Sequence, residues 1–204
     1  SSAPLTGGAI SYFTGSGVEM TSGVVSVATA NSGTTGVSGA LSFTSGTTSS
    51  GTSGSIVLGT GTGVGGKGGD ILLSVGQGNK RTGGDVVVRS GDISMLTGGS
   101  VSVSAGYGSA LSSGSIVVQS TNAGVLGVSG ALSFSSGTSS SGASGLIRLR
   151  TGASKHGSAG NVVLSVGKTI STDGGEIHIA AGTTSQINRK GGAVKLIAGL
   201  STSS

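Results

Sequence analysis

The chain has no cysteine, no tryptophan, a single proline and charge on only 8% of its 204 residues. Without cysteine no disulfide framework and no thiolate metal site can exist, and the redox compartment is left open. Tyrosine and phenylalanine number two and three, too few to build the stacking platforms that hold single-stranded nucleic acid. No apolar run approaches the ~20 residues that a membrane span needs. The chain neither starts with Met nor carries a charged segment followed by an apolar one, so any signal peptide is expected to have been removed. Helix is disfavoured too, because there are forty-four glycines and each costs a helix ~1 kcal/mol.

Aliphatic side chains are nevertheless plentiful, in triplets such as Ile71-Leu72-Leu73 and Val86-Val87-Val88. The chain therefore has apolar surface to bury and is not expected to behave as a Gly/Ser linker. Its organisation is repetitive. GVSGALSFTSGTTSSGTSG, from Gly36 to Gly54, returns as GVSGALSFSSGTSSSGASG from Gly127 to Gly145, 91 positions later with three changes. A finer period underlies this one. Glycine closes a unit at Gly8, Gly23, Gly39, Gly54, Gly69 and Gly84, and so on to Gly192, at spacings of 15 or 16 with one of 17. In each unit the second residue is aliphatic (Ile71, Val86, Val101, Ile116, Leu132) and the fourth is aliphatic or aromatic. The sixth is small or β-branched, and the seventh is Gly in eleven of thirteen units. Six units make the 91-residue repeat.

Alternation at period two predicts a short strand with positions two, four and six on one face, and glycines that permit corners at its end. Two aliphatic side chains contribute ~3–6 kcal/mol, against ~1–2 kcal/mol for ordering each residue of the unit, so units must stack. The expected fold is all-β. It is a single β-solenoid over residues 1–204, of about thirteen coils at ~4.8 Å spacing, with Ile71, Val86, Val101, Ile116 and Leu132 in one buried column. A start without Met and a stop within a unit suggest a segment or protomer of a longer fibre.

Several short motifs invite chemistry, and none is supported by its surroundings. Gly61, Gly63 and Gly66 form GxGxxG, but a strand-like GGDILLSV follows where a pyrophosphate site needs a helix N-terminus. GGKGGDILL, Gly65 to Leu73, matches a calcium-binding nonapeptide that works only in tandem copies, and here it stands alone. Asp70 and Asp85 open consecutive units, a spacing that could approach the ~5 Å of a retaining glycosidase pair. With no cleft, solvated stacking beside Lys67 and Arg81 is the expected arrangement. His156 and His178 occupy different positions of their units and face no partner suited to catalysis or metal binding. No catalytic, cofactor or metal residue is assigned, and no enzyme is expected.

Charge alternates in blocks. Met20 to Gly66 and Ser100 to Gly145 contain no charged residue, whereas Lys67 to Asp92 and Arg148 to Lys195 contain nearly all of them. The net charge of +5 raises nucleic acid or acidic polysaccharide as a partner. Scattered bases and few aromatics count against nucleic acid, and weak attraction to anionic surfaces such as a polysaccharide stays open. A solvated charged block that keeps the fibre soluble is the expected reading.

ALSFTSGTTSSGTSGSIVLGTG and ALSFSSGTSSSGASGLIRLRTG share the pattern SGxLxFxSGTxSSGxSGxIxLxTG, which resembles the Gly/Ser/Thr-rich solenoid repeats of diatom-like algal cell-surface proteins. The resemblance implies a secreted or wall-associated structural role and no catalytic residues. The expected function is that of an extracellular structural or adhesive fibre element, its solenoid ends pairing head to tail with further copies. An ice-binding solenoid using Ser/Thr ladders is the first alternative, although Ser42/Thr44, Val57/Gly59 and Leu72/Ser74 make no regular Thr-x-Thr array. A carbohydrate-binding or carbohydrate-active β-helix is the second.

Overall fold

The computed structural model describes residues 7–18, 21–79, 82–170 and 172–199. Within them no helix and no strand forms, which overturns the expected all-β solenoid and its stacked coils. The reason lies in the backbone hydrogen bonds. A sheet ladder requires the N–H groups of one unit to meet carbonyls of the next. Among the described residues, backbone groups pair only within units: Gly23 with Gly15, Gly99 with Gly91, Gly114 with Gly106, Gly192 with Gly182, and three tight turns. Glycine loses more conformational freedom on ordering than any other residue, and a short aliphatic run flanked by glycines does not offset that loss.

What forms instead is a recurring loop closure. The sixth residue of a unit lies against the glycine that closes it. A Cβ built on Gly23 would sit 3.0 Å from Thr14 Cβ, one on Gly54 would sit 3.5 Å from Ser45 Cβ, and one on Gly145 would sit 3.4 Å from Ser136 Cβ. At Gly54 and Gly145 a Cβ would make an ordinary contact with the sixth residue, whereas at Gly23 it would crowd Thr14. The closure is tightest where the sixth residue is valine: Val75 Cγ1 lies 2.9 Å from the would-be Cβ of Gly84, and Val166 Cγ1 lies 2.8 Å from that of Gly175.

In the unit that ends at Gly99 two hydrogen bonds clasp the loop. Gly99 N–H donates to Gly91 O at 3.0 Å, and Ser90 Oγ donates to Gly99 O at 3.0 Å. A Ser90→Ala chain should keep the first bond and lose the second. Exchange of the Gly99 amide, followed by NMR, should then speed up about two- to tenfold, the worth of one such bond. An unchanged rate would show that the hydroxyl does not hold the loop.

The chain divides into two compact units, Ser1–Ser102 and Val103–Ser204. The 91-residue duplication reappears in their geometry. The Gly23–Gly15 bond has its counterpart in Gly114–Gly106, and the Gly36–Gly33 turn in Gly127–Gly124. Gly51 and Gly142, at equivalent places in the duplicated stretch, take φ of +115° and +120°, the left-handed side that only glycine adopts without strain. These are loop tips in the Ser/Thr-rich half of the unit; the glycines at position seven, where corners were expected, do not need this conformation.

Candidate functional site

No side chain is buried among the described residues. Ile71, Val86, Val101, Ile116 and Leu132, expected as a sealed column, are each 52–55% exposed. The expected alternation does not survive: position four, expected inward, is about as exposed as position three (Leu58 78%, Leu73 74%, Val88 71%), and only position two is more covered. Position two is half covered, whereas the outward third residues Val57, Leu72 and Val87 are 80–86% exposed. The second residue of a unit is about half covered at best, and no neighbouring unit seals it, because no ladder joins the units among the described residues. The result is an apolar face that recurs with the period of the repeat and stays open to solvent.

The other departure from a neutral hydroxyl surface is charge. Lys67 Nζ lies 2.7 Å from Asp70 Oδ1 and donates to Oδ2 at 2.8 Å, and Arg89 pairs with Asp92 three residues on. All four side chains are exposed, so each pair contributes little to stability. Asp70, the carboxylate that both the calcium nonapeptide and the paired-carboxylate arrangement would use, is thus already engaged by Lys67. Arg81, expected beside it, lies outside the described residues. His156 and His178 make no hydrogen bond or ion pair among the described residues.

The GxGxxG segment presents the wrong groups for a phosphate. A Cβ on Gly63 would sit 2.7 Å from Lys67 O and 2.9 Å from Gly66 O, so carbonyl oxygens line the close side of this loop. A phosphate needs N–H donors there. Among the described residues there is no cavity and no group of three or more His, Asp or Glu side chains placed to share a cation. No helix in them is long and apolar enough to cross a membrane.

The sequence pattern located the apolar positions correctly, and it missed that they would stand open. The signal that could have revealed this is the glycine at position five or seven of units such as Leu58-Gly59-Thr60-Gly61, which interrupts the aliphatic run before it is long enough to pair. No protein family matches the chain, and neither a curated protein nor a solved structure matches it.

Proposed function

We propose that the chain is a structural element of an extracellular assembly and that its apolar face is covered by further copies of itself. The observation that carries this is its surface. A compact chain of 19.0 kDa exposes about 8,400 Å², whereas this one exposes 21,004 Å². The excess is several times the ~1,600 Å² buried in a standard protein interface. Part of this surface is aliphatic, with Val86, Leu132 and Ile147 each about half exposed, and an exposed apolar face marks an association site.

Self-association is favoured over a foreign partner by the repeat. Each unit offers the same pair of apolar positions at the same spacing, so a face that fits one unit fits the others. Contacts between such faces need not close on themselves, and an open series of them extends. The association does not depend on solenoid ends, which the structure does not contain among its described residues. The extracellular setting rests on the resemblance to algal cell-surface repeats. Ice binding is not carried forward, since it calls for a flat hydroxyl ladder on a sheet.

Light scattering on the full chain across a dilution series tests this. The mass should climb past that of a dimer without reaching a plateau, and it should fall again on cooling, because apolar burial weakens in the cold. A single-chain mass at the highest attainable concentration would refute the reading.

A further inference from the structure

The two compact units are copies of one pattern, yet their charges differ. Ser1–Ser102 holds four basic and four acidic residues and is neutral; Val103–Ser204 holds seven basic and two acidic residues and carries the whole net charge of +5. Position by position, 91 residues apart, the first unit's four bases Lys67, Lys80, Arg81 and Arg89 are replaced by Ser158, Ser171, Thr172 and Ala180, and new bases stand elsewhere. Val57, Gly59, Val64 and Gln77 of the first unit are replaced by Arg148, Arg150, Lys155 and Lys168 of the second. In the same comparison Asp70 becomes Asn161 and Asp92 becomes Thr183, so both ion pairs of the first unit are missing whole from the second, whose bases stand at positions without these acids. Among the described residues, none of the four new basic side chains is in an ion pair.

We propose that the Val103–Ser204 unit binds an anionic polysaccharide through Arg148, Arg150, Lys155 and Lys168. The first unit shows that this repeat does not need these charges to take up its structure, since it forms the same loop closures without them. A surface charged only for solubility would gain as much from either copy. A second copy of the chain is a poor fit, because its first unit is neutral and its second is equally basic. Nucleic acid is disfavoured by the shortage of aromatic side chains and by the absence, among the described residues, of a helix to enter a groove. Sulfate or carboxylate groups along a sugar chain meet both features of this surface: free cationic side chains, and the serine and threonine hydroxyls between them, such as Thr151 and Ser154, that can bond sugar oxygens.

The test uses the full chain on immobilised heparin, alginate and duplex DNA, with the salt dependence of retention as the readout. The native chain should be held by one or both polysaccharides more strongly than by DNA. A triple variant with Arg148→Val, Arg150→Gly and Lys155→Val, which restores the first unit's own residues, should elute at lower salt, and its slope of log affinity against log salt should be smaller by about three. An Asn161→Asp, Thr183→Asp variant, which restores the acids, should also weaken binding without removing any base. Removing two bases from the first unit, by Lys67→Ser with Arg89→Ala, should leave retention nearly unchanged. Light scattering on the same samples separates loss of the ligand from a change in assembly. The proposal is overturned if the native chain passes through both polysaccharide columns, if DNA is held more strongly, or if first-unit and second-unit changes weaken retention equally.

Discussion

Replacing Ile147 with Asp should raise the concentration at which the chain associates by roughly 30- to 150-fold, while the single chain keeps its structure. The two halves of this expectation come from the same observation. Ile147 is 51% exposed, so in the isolated chain the substituted carboxylate can remain in water and no core exists for it to disrupt. In the assembly the remaining surface of that side chain is covered. Losing its burial costs about 1 kcal/mol, half of what a fully buried aliphatic side chain contributes, and desolvating a carboxylate adds about 1–2 kcal/mol. Ser133→Asp, the same charge at an outward third position, should shift the threshold less.

The repeat also offers an escape. Because the face recurs every fifteen or sixteen residues, two copies could slip by one unit and avoid a single altered position. Three successive substitutions, Ile116→Asp, Leu132→Asp and Ile147→Asp, leave no such register within that stretch and should raise the threshold further than the single change, since only the other units still offer the native face. Light scattering reads the threshold, and circular dichroism on dilute samples reads the single chain. An unshifted threshold would remove position two from the contact. A changed single-chain spectrum would mean that these residues are packed within the chain after all.

How far the sequence could be followed depends on which groups carry the information. The fifteen-residue period and the places of the apolar residues are sequence properties that glycine spacing states directly, whereas the contact of the sixth residue with the closing glycine was not read from it and needed the structure. Val75 beside Gly84 and Val166 beside Gly175 are examples. The solenoid was a claim about the backbone, namely that N–H groups of one unit would meet carbonyls of the next. Alternation gives an expected direction for Val86 and Val88 and nothing about what the amide of Val87 bonds to. The left-handed glycines were illegible for a different reason: Ser-Gly steps recur throughout the chain, and nothing local distinguishes Gly51 and Gly142 from the others. Charge was legible as blocks. That the blocks divide into a self-paired set and an unpaired one required the Lys67–Asp70 and Arg89–Asp92 contacts and the division at Ser102.

Gly108→Ala should open the loop between Gly106 and Gly114, whereas Gly106→Ala, two residues away, should leave it closed. A Cβ on Gly106 would have nothing within 4 Å. One on Gly108 would lie 3.0 Å from Ser112 C and 3.1 Å from Leu111 O, with Ser112 O inside van der Waals contact as well. These are backbone atoms, which cannot turn aside as the end of a flexible side chain can, so the loop itself must shift. The bond at risk is Gly114 N–H to Gly106 O, 3.0 Å long, which joins the two ends of this loop. Its net worth of about 0.5–1.5 kcal/mol corresponds to a two- to tenfold rise in exchange of the Gly114 amide, readable by NMR in dilute samples. Gly63→Ala against Gly61→Ala repeats the comparison in the first unit, where Lys67 O and Gly66 O crowd one glycine and nothing crowds the other. Equal exchange in the Gly108 and Gly106 variants would show that the loop is too loose for these close approaches to matter, and the recurring closure would then not hold this chain in shape.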